Sequence, residues 1–324
     1  MKRCLWIFWL AVGGLGAVFL NAQTLQGIPG PDDYRPVLGW FSENGQSWLA
    51  LRAWTRQGPH LLAVNPLTAQ TQEFSRKAPP EQSWSEVLNQ ARKSGLLNGV
   101  YFRLRAQALQ ESTPWDNAGI RQWPSRRRGA WLSFDLCPSS RPLDRWVFRQ
   151  LENVQPGKPL PVFLDVSGRW MASHSSDLTW LLQREAHQNL VITWVSHGEL
   201  HPYNPHVPWR QTFDLTKGLN FEREVLGPEK RLVALGQLPS VWFRFPGLIS
   251  DSAHVRQLLS WGLIPLASGA WLNKDEPLLN QDIVLIHANG NEERGLKLLM
   301  SWTRQHQTWL QQGQWSWLGL SDFR

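Results

Sequence analysis

Beyond residue 129 the chain alternates short apolar runs with amphipathic stretches. The apolar, β-rich runs read AWLSFDL, PLPVFLDVS, LVITWVSH, VWFRFP, LIPLAS and DIVLIHA. Stretches with helical spacing lie between or after them: RPLDRWVFRQLENV, SSDLTWLLQREAH, FEREVLGPEKRLVAL, SAHVRQLLSWG and EERGLKLLMSWTRQHQTWL. Six such alternations predict a parallel sheet with helices outside it. Because no glycine-rich phosphate fingerprint follows the first run, a closed or distorted β/α barrel is favoured over a doubly wound sheet.

The preceding part of the chain has a different pattern of predicted secondary structure. Over residues 40–74 the segments SWLALRAW and HLLAVNP flank a Gly-Pro turn and predict a β-hairpin. WSEVLNQARKSG predicts a short helix that ends at glycine, and the alternating VYFRLRAQ predicts a further strand. We therefore expect a small α+β accessory domain over residues 23–125, of unknown function, followed by the barrel over residues 126–324.

The N-terminus is typical of an export signal. Met-Lys-Arg is followed by an apolar run over residues 4–20 and then by Asn-Ala-Gln. This pattern predicts a cleaved signal peptide over residues 1–22 and a periplasmic or extracellular protein. Leu20 is not ideal at the third position before the cut, so an uncleaved N-terminal membrane anchor remains the alternative, although the run is short for a span. No other stretch is long and apolar enough to cross a bilayer.

Composition and charge limit the classes of partner that we expect for this protein. The formal charge is +7, or +5 without the signal peptide (31 basic and 26 acidic residues), and the basic residues are scattered apart from Arg126, Arg127 and Arg128. We therefore expect no nucleic-acid partner, and a basic exported protein suits an anionic cell wall or glycan. The 21 tryptophans could stack on sugar rings, but most are expected in the core, so composition alone does not identify a glycan protein.

Polar side chains occur at or just past the ends of the predicted strands. Together they offer a carboxylate base, two imidazoles at metal-ligand spacing, a fixed cation and a separate histidine acid, as hydrolysis of an amide on a sugar requires. They are Asp135 in SFDLC, His197 and His201 in SHGELH, Arg244 and Pro246 in FRFPG, and His287 in VLIHANG.

The two histidines of SHGELH are the candidate metal ligands. His197 and His201 are four residues apart, so a helical turn or a tight loop places both imidazoles on one side. The alternative is a pair of surface or capping histidines beside the proline-rich loop 202–208. His206 in that loop is a spare candidate ligand.

These motifs, in this order, resemble the polysaccharide deacetylase (NodB-homology) domain of carbohydrate esterase family four over residues 129–312. SFDLC is similar to the family's Thr/Ser-Phe-Asp-Asp segment, and PVFLDVSGRWM to its second strand. SHGELHP is similar to Asn-His-Ser/Thr-x-x-His-Pro, FRFPG to Arg-x-Pro, and VLIHANG to Leu-x-His. The resemblance implies a distorted β/α barrel, a divalent metal that is usually zinc, and removal of acetyl groups from sugars. It does not cover residues 24–125.

The resemblance also implies roles for individual residues. Asp135 is expected to be the general base, Arg244 to orient it and lower its basicity, and His287 to be the acid that protonates the leaving amine. Trp242, Trp271 and Pro246 are candidates to form the sugar site, with core packing as the alternative for the two tryptophans.

Two departures from the family pattern stand out. Leu136 occupies the position of the second aspartate, the family's third metal ligand. Either Asp135 joins His197 and His201 as a ligand, or Asp165 replaces the missing carboxylate, or no metal binds. The second departure is ASGAWLNKDE, which has no aspartate in register to partner His287, leaving Asp275 or Asn273 as candidates.

The sequence thus predicts an exported, metal-dependent hydrolase of carbon–nitrogen (non-peptide) bonds. Its expected cofactor is a divalent metal of the zinc class, and its partner an acetylated polysaccharide such as an amino-sugar polymer or peptidoglycan. The alternative is a catalytically degenerate deacetylase fold that serves as a glycan-binding module.

Overall fold

A computed structural model describes residues 30–111 and 115–323 of the 324-residue chain. The predicted signal peptide lies outside this part. Over the described residues, no helix has both the length and the apolar character that a membrane crossing requires.

The N-terminal region opens with a four-stranded antiparallel sheet in the order β1-β2-β3-β4. Its strands are β1 (Asp32–Glu43), β2 (Gln46–Thr55), β3 (Pro59–Val64) and β4 (Thr71–Phe74). The predicted hairpin is confirmed as β2–β3, with Trp54 opposite His60. Gly58 in its turn has φ of 135°, which a residue with a Cβ rarely adopts.

Two helices follow, and one of them was predicted as a strand. Helix α1 (Trp84–Lys93) confirms the predicted short helix, and it begins with a capping box between Ser83 and Glu86. VYFRLRAQ is not a strand, because it forms most of α2 (Val100–Glu111). The β-prone aromatic residues misled the prediction: Tyr101, Leu104 and Ala108 share one helical face and are all buried.

The rest of the chain forms a curled, parallel sheet surrounded by helices, which confirms the distorted β/α barrel. The strand order is β10-β11-β5-β6-β7-β8-β9, and β12 pairs with β5 from outside this path. The strands are β5 (Gly129–Leu136), β6 (Leu160–Val166), β7 (Leu190–Ser196), β8 (Trp242–Phe243), β9 (Ile264–Pro265), β10 (Ala270–Trp271), β11 (Ile283–His287) and β12 (Ser316–Trp317). All six predicted strands are present, whereas the two-residue strands β10 and β12 were not predicted.

The helices of this part are α3 (Arg145–Val154), α4 (Gly168–Ser173), α5 (Ser175–Ala186), α6 (Phe221–Ala234), α7 (Ser252–Ser260), α8 (Glu293–Gln305) and α9 (Gln307–Gln311). All except α4 lie in the predicted amphipathic stretches, the last of which forms both α8 and α9; α4 was not predicted. Because helices cover the outside of the sheet and side chains fill the inside, its strands are apolar on both faces. All eight residues of β5 are buried, for example.

The N-terminal sheet packs directly on the barrel. Leu51 of β2 and Tyr101 of α2 belong to the same buried cluster as Val225 of α6. Within this contact Arg52 forms a buried ion pair with Glu229 of α6, with 2.7 Å between Nε and Oε2. The division near residue 125 therefore separates two parts of the chain that share one hydrophobic core.

Candidate active site and metal centre

The central feature of the site is a row of three side chains across neighbouring strands. In the parallel register, His287 of β11 lies beside Asp135 of β5, which lies beside Asp165 of β6. His197 directly follows β7, and Arg244 directly follows β8. The carboxyl ends of parallel strands meet at one edge of the sheet, so five strands deliver these polar residues to the same place.

Asp135 is held by a buried arginine. Arg244 donates from Nη1 to Oδ1 of Asp135 at 3.0 Å and from Nη2 to Oγ of Ser133 at 2.8 Å. Burial raises the pKa of Asp135, but the charge of Arg244, with contributions from His197 and His287, outweighs burial and leaves the pKa below its usual value. Asp135 is therefore an ionised carboxylate in the interior of the protein.

Asp165 is the neutral neighbour of this pair. Its Oδ1 lies 3.8 Å from Nε of Arg244, and the residue is fully buried. Burial raises the pKa of Asp165 well above the usual range; the charge of Arg244 opposes this rise, and the adjacent Asp135 adds to it. The single positive charge of Arg244 thus balances Asp135, and Asp165 keeps its proton.

His197 is oriented for use of its Nε2 lone pair. Its Nδ1 lies 2.9 Å from the carbonyl oxygen of Arg244. Because a carbonyl oxygen only accepts, Nδ1 carries the proton and Nε2 of the neutral ring does not. Burial lowers the pKa of His197 to about 4, although Asp135 and the Arg244 carbonyl oppose this shift. The ring is therefore neutral at pH 7, as a metal ligand must be.

His201 completes a close pair of imidazoles. Its ring centroid lies 4.9 Å from that of His197, and its buried Nε2 meets no hydrogen-bond partner among the described residues. The backbone N–H groups of Leu200 and His201 both donate to Oε2 of Glu224, at 2.9 and 3.1 Å. Glu224 thereby fixes the loop that carries His201, whereas His206 is exposed on the same loop.

A third donor, Cys137, lies against the two histidines. Its Sγ is 3.4 Å from Nε2 of His197, and one ligand atom from each of Cys137, His197 and His201 lies within 4.8 Å of the others. Zinc bonds of about 2.3 Å to sulfur and 2.0–2.1 Å to nitrogen place tetrahedral S and N donors about 3.6 Å apart. These three donors would fit zinc, and a tetrahedral ion held by them would have a fourth position for water or substrate.

Cys137 was not predicted from the sequence as a metal donor. The signal was available in SFDLC, which places Cys137 two residues after Asp135. Asp135 as the third ligand stays a prediction: its Oδ2 is 3.6 Å from Nε2 of His197, while Oδ1 accepts from Arg244.

His287 has a carboxylate partner that the sequence did not reveal. Its Nδ1 lies 2.8 Å from Oε2 of Glu292, and Nε1 of Trp271 donates to the same oxygen at 2.9 Å. The partner is Glu292 rather than Asp275 or Asn273, because Asp275 is exposed and pairs with Arg294. Burial lowers the pKa of His287, but Cys137, Glu292 and Asp135 raise it to a value well above its usual range. The imidazole is thus held protonated.

The three predicted sugar-site residues differ in their surroundings. Trp242 is fully buried and packs against Phe163 and Phe323, so the core-packing alternative holds for it. Pro246 is also buried, at the start of a 3₁₀ turn (Pro246–Leu248). Trp271 is partly exposed, and Nζ of Lys274 lies 3.8 Å from its ring centroid. Its position beside Glu292 makes it a support for His287.

An aromatic surface begins at His201. Phe213 packs edge-on against His201 with 5.2 Å between ring centroids. Tyr203 stacks on Phe213 at 5.4 Å, and Trp209 meets Phe213 edge-on at 5.1 Å. Tyr203 is 57% exposed and Trp209 45% exposed. We call Tyr203, Trp209 and Phe213 the aromatic platform. It was not predicted, although all three residues lie in the segment that follows the SHGELH motif.

No protein-family model matches the chain. Among solved structures, it is similar to a family 4 carbohydrate esterase from Bacillus anthracis, with 16% identity over 64% of this chain and 87% of that chain and a TM-score of 0.44. A peptidoglycan N-acetylglucosamine deacetylase matches with 14% identity over 63% and 91% and a TM-score of 0.45. A pseudoenzyme of the same esterase family from Bacillus anthracis matches with 12% identity over 61% and 67% and a TM-score of 0.39.

Proposed function

We propose that this protein is an exported, metal-dependent hydrolase that removes acetyl groups from an acetylated glycan. The observation that carries the proposal is the convergence of a buried, arginine-bound carboxylate, two buried histidines next to a cysteine, and a carboxylate-bound histidine at one edge of the sheet. Export rests on the signal-like sequence of residues 1–22.

Asp135 acts as the general base in this proposal. Zinc, when bound by the histidine cluster, supplies a Lewis acid that polarises the acetyl carbonyl and makes water more acidic. As the water oxygen bonds to the carbonyl carbon, Oδ2 of Asp135 takes the water proton. Arg244 stays on Oδ1 and keeps the carboxylate oriented and ionised before the reaction.

His287 acts as the general acid. Since Nδ1 lies on Glu292, Nε2 is the nitrogen that can reach the substrate. The bond between the carbonyl carbon and the sugar nitrogen breaks, its electron pair stays on nitrogen, and Nε2 of His287 supplies the proton. The products are acetate and a free amine, and Glu292 stabilises the imidazolium until this transfer.

The aromatic platform favours a glycan as the substrate. Tyr203 and Trp209 are exposed, and Phe213 connects them to His201. Aromatic rings bind the apolar faces of sugars, and a phenol or indole can also reach hydroxyl groups. The net charge of +5 without residues 1–22 suits an anionic cell-wall polymer. An acetylated chitooligosaccharide and a peptidoglycan fragment are therefore the first substrates to test.

Acetate release tests the proposed reaction. The full chain, loaded with zinc, is incubated with each substrate, and free acetate and new primary amines are counted. We expect equal amounts of both from the wild type and a large loss in Asp135→Asn, which keeps the size of the side chain. A zinc-loaded wild type that releases acetate from neither substrate would contradict the proposal.

A glycan-binding module is the second candidate function. It is favoured by Leu136, a buried apolar residue where the resembled family has its second aspartate. Affinity electrophoresis on the same glycans separates the two functions. Retention without bound metal and without acetate release indicates the binding module.

A further inference from the structure

Cys137 lies at the centre of the site although the proposed reaction gives it no role. It directly follows β5, is buried and is a free cysteine. Its Sγ lies 3.4 Å from Nε2 of His197, the nitrogen left without a proton by the bond from Nδ1 to the Arg244 carbonyl. Nδ2 of Asn289 donates to the carbonyl oxygen of Cys137 at 2.8 Å and fixes the backbone at this point.

The alternation of side chains explains why a cysteine, and not position 136, reaches the histidines. Residues 135 and 137 project to the same side of an extended chain, and residue 136 projects to the other. Leu136 accordingly belongs to the buried cluster that contains Phe148 and Trp170. Asp135 meanwhile has one carboxylate oxygen committed to Arg244.

The unpartnered donor on His201 gives an independent indication of a ligand. The residue is nine-tenths buried, and its Nε2 has no hydrogen-bond partner among the described residues. Such a nitrogen is costly to bury unless a further group binds it. A metal ion shared with Cys137 and His197 would satisfy it.

We propose that the Cys137 thiolate is the third protein ligand of the metal, with His197 and His201, and that Asp135 remains outside the coordination sphere as the base. The inference rests on the proposed function for the presence of a metal and adds the identity of the third ligand. On binding, the thiol releases its proton to solvent, and sulfur donates to the ion. A sulfur ligand favours zinc-class ions over magnesium, calcium or manganese, which prefer oxygen ligands.

Cobalt(II) substitution tests this assignment through a spectrum and not through activity. The full chain carries Cys4→Ser, so that Cys137 is its remaining cysteine. We expect one cobalt ion per chain, tetrahedral d–d absorption and a sulfur-to-cobalt charge-transfer band in the near ultraviolet. Cys137→Ser should abolish the charge-transfer band and weaken cobalt binding by more than about 100-fold, since the loss of an outer-shell partner alone costs about 10–100-fold.

Two matched variants complete the experiment. Cys137→Asp replaces the sulfur by a carboxylate and should bind cobalt without the charge-transfer band, which also provides a folded variant if Cys137→Ser does not fold. Asp135→Asn should retain both metal and band. The inference is overturned if cobalt binds with no charge-transfer band, if Cys137→Ser binds it as tightly as the wild type, or if no ion binds. A charge-transfer band without acetate release would sustain the ligand assignment and contradict the proposed function alone.

Discussion

Arg244, which directly follows β8, donates from Nη1 to Oδ1 of Asp135 at 3.0 Å, and both side chains are buried. The two residues are 109 positions apart in sequence. Their contact therefore joins strands β5 and β8, which are far apart along the chain, in one site. The same ion pair thus orients the proposed base, Asp135, and contributes to the stability of the fold.

Removal of Arg244 should therefore affect both stability and activity. Arg244→Met leaves Asp135 as an unpaired buried charge, which costs about 3–5 kcal/mol of unfolding free energy. Adding Asp135→Asn should recover part of that loss, because the uncompensated charge disappears. Urea unfolding of both single variants and the double variant measures this coupling. Strictly additive losses would mean that the pair is not coupled energetically.

Glu292 should be needed for turnover. Glu292→Gln keeps the side-chain length but removes the charge that stabilises protonated His287, so we expect a loss toward the low end of the general-acid contribution, about 100-fold in kcat. Zinc content should not change. Asp275→Asn is the matched control, because Asp275 pairs with Arg294 on the surface. Similar kcat values for the two variants would remove Glu292 from the proposed mechanism.

Asp214 should make stability fall as the pH rises. It is buried, neither carboxylate oxygen meets a partner among the described residues, and burial followed by the charge of Glu224 raises its pKa well above the usual value. Between about pH 3.9, where an unfolded aspartate ionises, and the higher folded pKa, the folded state holds the proton that the unfolded state releases. This difference destabilises the folded state progressively across that window.

Asp214→Asn removes the ionisation from both states. The variant should match the wild type in thermal unfolding at about pH 3.5, below both pKa values, and should be the more stable protein at pH 7. Thermal unfolding midpoints at a series of pH values check this expectation. A variant no more stable than the wild type at pH 7 would show that the pKa of folded Asp214 is not raised above that of the unfolded chain.

Trp209 should contribute to glycan binding. Trp209→Ala removes an exposed face of the aromatic platform, and the about 0.5–1.5 kcal/mol of an aromatic pair corresponds to an increase in KM of about 2- to 13-fold with little change in kcat. Trp309→Ala is the control: Trp309 is similarly exposed, but it lies near Arg128, at the opposite end of β5 from Asp135. Equal KM values in the two variants would exclude Trp209 from the substrate site.

The strands and most of the site were predictable for one physical reason. Parallel strands buried on both faces leave continuous apolar runs in the sequence, and polar residues at the ends of such runs meet at one edge of the sheet. Asp135, His197, Arg244 and His287 were found in this way. The assignment of metal ligands among these residues stays a prediction.

The remaining features depend on tertiary contacts that leave little local signal. The segment of α2 has the residues of a strand, and burial of Tyr101 against the barrel decides for a helix. Glu292 reaches His287 because the chain turns back after β11, which spacing alone does not show. Cys137 contacts His197 only because β5 ends beside that histidine.

In the proposed function, metal binding and acetyl hydrolysis depend on the same site. The most direct measurement is zinc content and acetate release in the same preparations of wild type, His197→Ala and His201→Ala, with His206→Ala as the exposed control from the same loop. We expect close to one zinc per wild-type chain and acetate release from an acetylated chitooligosaccharide or peptidoglycan fragment. Both should be lost in His197→Ala and His201→Ala and kept in His206→Ala. A wild-type protein that stays metal-free in zinc-supplemented buffer, or a His197→Ala variant that releases acetate as well as the wild type, would contradict the proposed function.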